Sequence, residues 1–155
     1  MPVLLFVCTA NLYRSPIAEA IFADLLAKLS PSEEWRVESA GIIAPDGLPI
    51  APHALSALQE RGIDASSHRT RLLTRDMLEG ADLVLVMEMQ HKEGLRLQHP
   101  DLTQRILLLS EVAGLTYSLT DPDHDSLSSI QATAREIENL LVRGRERIQQ
   151  LVKHA

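Results

Sequence analysis

Cys8 and Arg14 stand six positions apart in the stretch Cys8-Thr9-Ala10-Asn11-Leu12-Tyr13-Arg14-Ser15-Pro16, and Cys8 is the only cysteine of the chain. Residues 2–7 are a short apolar run of strand type, while Ser15 followed by Pro16 reads as an N-cap and first helical position. The residues between them are then a strand-to-helix loop. Successive backbone N–H groups in such a loop, with the start of the following helix, can form an anion-binding concavity. Arg14 adds a planar fork suited to two phosphoryl oxygens. The same positive surroundings favour the thiolate of Cys8, the nucleophilic form. A cysteine that ends an apolar strand also reads as a small buried hydrophobe. The preceding strand, the Ser-Pro helix start and Asn11 tip the reading toward chemistry.

A thiolate attacking a phosphate monoester forms a cysteinyl-phosphate and splits hydrolysis into two easier steps. Arg14 and the amides of the loop, Thr9, Ala10, Asn11, Leu12 and Tyr13, would hold the equatorial oxygens. The leaving group then needs a general acid, which as a base can activate water in the second step. A carboxyl group must therefore approach Cys8 from elsewhere in the chain. The best candidate stretch is Thr120-Asp121-Pro122-Asp123-His124-Asp125. Asp121 precedes a proline, which biases it to an extended backbone. Asp123 competes with it for the role, and Asp125 or Ser126 also reads as the cap of the helix that follows.

The elements that must position these groups follow from periodicity. From Ser15 to Leu29 apolar residues recur at three- and four-residue intervals, an amphipathic helix packed on a sheet. Residues 35–39 alternate like a short strand, and residues 40–52 form a long loop with two glycines. A helix is expected over 52–61, stopped by Gly62, and 62–73 should be mostly irregular. Thr74 caps a short helix toward Glu79, 81–87 is a strand buried on both faces, and 90–97 is helical. Residues 105–109 make another buried strand. A long final helix over 128–152 carries the stripe Ile130, Ile137, Leu140, Leu141, Ile148 and Leu151. Alternating strands and helices predict one α/β domain over residues 1–155, with a four-stranded parallel sheet covered by helices on both faces. Its phosphate-binding loop follows the first strand, at the carboxyl end where ligand sites lie.

The whole chain narrows the function further. Its 155 residues are 45% hydrophobic and 23% charged, as in ordinary soluble globular proteins. No stretch reads as a membrane span or signal peptide, and the lone cysteine suits a reducing cytoplasm. A formal net charge of −6 without a basic run argues against nucleic-acid binding. The histidines at 53, 68, 91, 99, 124 and 154 show no pair at helical ligand spacing. No metal and no cofactor is therefore expected.

These residues resemble the low-molecular-weight protein tyrosine phosphatase family over nearly the full length. Cys8-Thr9-Ala10-Asn11-Leu12-Tyr13-Arg14-Ser15-Pro16 is similar to the N-terminal signature of that family, and Asp121-Pro122 to its catalytic Asp-Pro. Further matches are Ser39-Ala40-Gly41, Gly62-Ile63-Asp64 with His68, residues 81–87, and His91. The resemblance implies Cys8 as nucleophile, Arg14 as phosphate clamp and Asp121 as general acid and base. It also implies a hydrogen bond from Ser15 to the thiolate, and a supporting network of Asn11, Ser39 and His68. Phosphotyrosine on a protein is the implied substrate, with the chain acting as a monomer or weak dimer in the cytoplasm.

Four departures bear on that implication. Ala10 stands where the family usually has Gly, at a cost of about 1 kcal/mol if that backbone needs a positive φ. Tyr13 replaces a second cysteine that many members carry, so irreversible over-oxidation of Cys8 should be easier. Asp123-His124 stand where the family commonly places an aromatic pocket wall, which makes Leu12, Tyr13, Asp123 and His124 the candidates for setting specificity. Leu12 itself stands where relatives acting on phosphoarginine resemble each other in a small polar residue, which favours an aryl substrate. The alternatives are a protein-arginine phosphatase, an arsenate reductase drawing on an external thiol, and a non-catalytic phosphate-binding adaptor.

Overall fold

The computed structural model describes residues 1–155. Four strands, β1 (Val3–Cys8), β2 (Arg36–Gly41), β3 (Leu83–Val86) and β4 (Ile106–Leu108), form one parallel sheet in the order β2-β1-β3-β4. Around it lie α1 (Arg14–Leu29), α2 (Pro52–Gln59), α3 (Arg75–Gly80), α4 (Met89–Gln98) and α5 (Leu127–Lys153), with 3₁₀ turns at Pro100–Arg105 and Leu109–Ala113. No helix is long and apolar enough to cross a membrane.

The period of two along β1 sorts its side chains between two cores. Leu4, Phe6 and Cys8 join the larger cluster with α1, α2 and α5, whereas Leu5 and Val7 face Leu78, Leu95 and Leu102 on the other side. Helices thus cover both faces, as parallel sheets require. The register pairs Cys8 with Gly41 of β2 and Val7 with Val86 of β3. β1, β2 and β3 therefore end together at the loop that follows Cys8, with β4 one strand further out, in register with the end of β3.

The stripe on α5 is buried at Ile130, Ile137, Leu140, Leu141 and Ile148, and Leu151 packs at its edge. Thr74 and Ser126 cap α3 and α5 through their hydroxyls, which receive the amides of Met77 and Ser129. Ser126, rather than Asp125, is thus the capping residue of α5. Most boundaries shift by one or two residues. Among them β2 runs on through Gly41, and residues 42 and 43 continue the approach with amide bonds to the carbonyls of Cys8 and Thr9.

The start of α1 differs from expectation for a physical reason. The helix begins at Arg14, Tyr13 occupies the N-cap position without a side-chain cap bond, and Ser15 lies inside the first turn. The Ser15 hydroxyl is committed to Cys8 and Asn11 instead. Capping by Ser15 would have pulled it away from the thiol.

Candidate active site

Residues 9–13 wrap around the end of β1. The amides of Thr9, Ala10, Leu12 and Tyr13 donate to no group of the protein, whereas the Asn11 amide points at Cys8 Sγ from 3.3 Å. The Ser15 hydroxyl lies 3.0 Å from the same sulfur. Cys8 is buried and is the only thiol in the protein. The arrangement is a concavity of unpaired donors beside a sulfur that already receives two hydrogen-bonding partners.

Asn11 sets the turn of this loop. It is the one non-glycine residue with positive φ, at 59°, a conformation that Asn tolerates better than most side chains. Ala10 stays outside that region, so the strain anticipated for it does not arise. Four hydrogen bonds hold Asn11 in place. Its Nδ2 donates to the hydroxyls of Ser15 at 2.8 Å and Ser39 at 2.9 Å. Its Oδ1 accepts from the Arg71 amide at 3.0 Å, and its carbonyl oxygen lies 3.0 Å from His68 Nε2. The loop also needs Gly41 on β2, because a Cβ there would come within 2.7 Å of the Thr9 carbonyl oxygen and 2.9 Å of the Ala10 carbonyl carbon.

Arg14 is almost fully buried, at 2% exposure. Its Nη1 donates to Glu88 Oε2 at 2.9 Å and to the Leu119 carbonyl at 2.7 Å. Those bonds fix one edge of the guanidinium and leave the Nε–Nη2 edge as the fork. Nη2 lies 3.4 Å from Thr9 Oγ1, and Nε lies 3.6 Å from Asp121 Oδ1. Glu88 comes from the end of β3 and occupies the N-cap position of α4 without capping it. Ser118 supplies the cap acceptor instead, receiving the Met89 amide at 2.8 Å, which frees the Glu88 carboxylate for Arg14.

Leu119 brings Asp121 to this place. Its amide donates to the Met87 carbonyl at 2.8 Å while its own carbonyl receives Arg14 Nη1, so the chain two residues before Asp121 is stapled to β3 and to the arginine. Asp121 is half exposed and bonds His124 Nε2 at 3.0 Å. Asp123 is used differently. Its Oδ1 accepts the Asp125 amide and its own amide donates to Ser129, a local turn leading into α5. Between the two carboxylates, Asp121 is the one that meets Arg14.

Tyr13 and His124 stack with ring centroids 4.1 Å apart at 19°. The stack pairs two rings from positions far apart in the sequence, with Leu12 and Tyr13 also packed on the main core. Burial raises the Tyr13 pKa, and the negative charges of Asp121 and Asp125 raise it further, so the phenol stays protonated. Glu88, His91, Leu119 and Arg71 were not singled out for the site by sequence reasoning, apart from a family match at His91. Only the carboxyl end of β3, where Glu88 and His91 follow, carried a signal for them.

An open parallel sheet whose first strand delivers a thiol into a cradle of amides beside an arginine fork defines a cysteine-dependent phosphohydrolase. The family model for low molecular weight phosphotyrosine protein phosphatase matches residues 3–154, and the chain belongs to that family. A protein-arginine-phosphatase from Bacillus subtilis strain 168 is 37% identical over 139 residues, 89% of this chain and 91% of that protein. The low molecular weight protein tyrosine phosphatase from T. tengcongensis superposes with a TM-score of 0.88 at 38% identity, over 95% of this chain and 99% of that one. A cysteine-to-serine variant of the YwlE arginine phosphatase, which carries a phosphorylated active-site serine, superposes with a TM-score of 0.88 at 33% identity over 95% of each chain.

Proposed function

We propose that the protein hydrolyses phosphotyrosine on protein substrates through a cysteinyl-phosphate, without metal or cofactor. The observation that best supports this reading is the approach of Asp121 Oδ1 to within 3.6 Å of Arg14 Nε, a carboxyl group beside the guanidinium fork. The Cys8 thiolate attacks phosphorus, and the Nε–Nη2 edge of Arg14 with the free loop amides holds the equatorial oxygens. As the bond to the phenolic oxygen breaks, Asp121 gives that oxygen its proton. In the second step Asp121 takes a proton from water, the water oxygen attacks phosphorus, and the S–P bond breaks to release phosphate and the thiolate. Ser15 and the Asn11 amide receive the sulfur's negative charge. All of these groups come from one chain, so a monomer or weak dimer suffices, and the single thiol suits a reducing cytoplasm.

The stacked Tyr13–His124 pair and Leu12 support an aromatic leaving group, since they give a ring flat and apolar surfaces to lean on. A second reading, a protein-arginine phosphatase, is favoured by the Bacillus subtilis relative's activity and by the acidic side chains Asp121, Asp123 and Asp125 in one exposed loop. Side-by-side kcat/KM values on phosphotyrosyl and phosphoarginyl peptides decide between them, with the tyrosyl peptide expected to win. A strong preference for the arginyl peptide overturns the substrate assignment. Cys8→Ser should abolish turnover of both peptides and of p-nitrophenyl phosphate, and turnover retained in that variant would sink the mechanism.

A further inference from the structure

His91, in the first turn of α4, is 7% exposed and has no part in the steps above. Its Nε2 lies 3.1 Å from Thr9 Oγ1 and 3.7 Å from Glu88 Oε2. Its Nδ1 is the one buried side-chain nitrogen or oxygen in the protein with no hydrogen-bond partner. Together with the bonds of Arg14 to Glu88 and Thr9, these contacts close a ring of four side chains behind the phosphate loop.

The ring fixes where the protons are. A neutral imidazole carries one N–H, on either nitrogen. Placed on Nδ1 it would be a buried donor without an acceptor, and the Nε2 lone pair would face the Glu88 carboxylate. Placed on Nε2 it meets the Thr9 hydroxyl oxygen with the carboxylate alongside, and only a lone pair is left unpartnered. His91 is therefore the Nε2–H tautomer and donates to Thr9. Arg14 Nη2 donates to the same oxygen from 3.4 Å. A hydroxyl has two lone pairs and one proton. With both lone pairs engaged by His91 and Arg14, the Thr9 proton must point away from both, and no acceptor of the protein takes it. Arg14 Nη2 is also half of the fork that grips the phosphoryl group, so the hydroxyl and a phosphoryl oxygen are neighbours on one nitrogen.

We propose that the Thr9 side chain is a phosphate ligand, donating its hydroxyl proton to a phosphoryl oxygen, and that His91 is the positioning residue that turns it there. The proposal rests on the phosphatase reading and assigns a side-chain role in a loop otherwise read as a cradle of backbone amides.

The test is the inhibition constant of inorganic phosphate against p-nitrophenyl phosphate hydrolysis, with thermal melts of each variant alongside. Thr9→Val keeps the shape and removes the hydroxyl; it should weaken phosphate about tenfold, as loss of one charge-assisted hydrogen bond does. His91→Phe should weaken it by a similar factor, and the double variant should be no worse than either single one, because both changes remove the same bond. His91→Gln, whose side-chain amide can donate from near the Nε2 position, should recover most of the loss. Unchanged phosphate inhibition in folded Thr9→Val overturns the proposal, as do multiplying losses in the double variant or a His91→Gln protein no better than His91→Phe. If Cys8→Ser still turns over, the phosphatase reading itself falls; if it is inactive while Thr9→Val binds phosphate like the wild type, only this inference does.

Discussion

The Asp121 carboxylate and the His124 ring are joined through Oδ1 and Nε2 at 3.0 Å, and the same Oδ1 faces Arg14. One oxygen of the carboxylate is thus engaged on two sides, so in the proposed role of Asp121 as acid Oδ2 is the oxygen left to carry the proton. His124 is itself held flat against Tyr13. Acid, imidazole and phenol form one chain of contacts that anchors an exposed loop to the rim of the site. His124→Ala removes that anchor and the stacking partner of Tyr13, while the loop's backbone amides and Arg14 stay in place. Its kcat on a phosphotyrosyl peptide should fall about tenfold, the cost of a loosely placed catalytic group. Phosphate inhibition should stay at the wild-type value. A variant that loses phosphate affinity but keeps kcat would show that His124 serves binding instead.

Asp121→Asn separates proton donation from the rest of the machinery. A good leaving group such as p-nitrophenolate departs without a proton, whereas a phenolate of ordinary basicity or an alkoxide needs one in the transition state. Turnover of alkyl and unactivated aryl phosphates should therefore drop by about a hundredfold or more, and that of p-nitrophenyl phosphate far less. Equal losses across the series would move the acid elsewhere. Asp123 is then the next residue to replace, although its bonds to Asp125 and Ser129 commit it to the turn before α5.

The parts of this site that were legible in the sequence are those encoded locally. An apolar run, a Cys and an Arg at loop spacing and an Asp-Pro are near-neighbour patterns, and the family resemblance joined them. The stripe on α5 was legible because its period of 3.6 survives in a long helix. What escaped is what only the fold brings together. Glu88 meets Arg14 across 74 positions, and apart from its place just after β3 nothing in the sequence distinguishes it from a surface carboxylate. Tyr13 and His124 form a stacked pair that neither stretch implies alone. Ser15 was misassigned as a cap because Ser-Pro is a local helix-start mark, while its actual partners, Cys8 and Asn11, compete for the hydroxyl in three dimensions.

Asn11 carries two separable costs that mutation can tell apart. Asn11→Ala leaves the Arg71 amide and the Ser15 and Ser39 hydroxyls without their partner and puts a Cβ-bearing residue without a compensating side chain at φ 59°. The expected loss is about 3 kcal/mol, from one orphaned buried group, lost hydrogen bonds and the left-handed backbone. Asn11→Gly loses the same bonds but not the backbone preference, and should be more stable than Asn11→Ala by about 1 kcal/mol. Urea unfolding of the two variants measures the difference. Equal stabilities would mean that the loop relaxes out of the left-handed conformation when its anchors go.

His91 gives the fold a pH dependence of defined sign. Burial pushes its pKa below the ordinary value of 6.5; the Glu88 carboxylate opposes that shift, Arg14 adds to it, and Asp121 opposes it from further out. Protonation would also place a second N–H on the buried and unpartnered Nδ1. The unfolded chain therefore takes up a proton as pH drops through about 6.5 while the folded chain does not, and stability falls until the folded imidazole also titrates. His91→Gln cannot titrate. It should be less stable than the wild type at about pH 7.5, with the gap narrowing at about pH 5.5, since the other histidines contribute alike to both proteins. Urea midpoints at the two pH values read this directly. A gap that stays constant would show that the folded protein holds His91 charged as readily as water does.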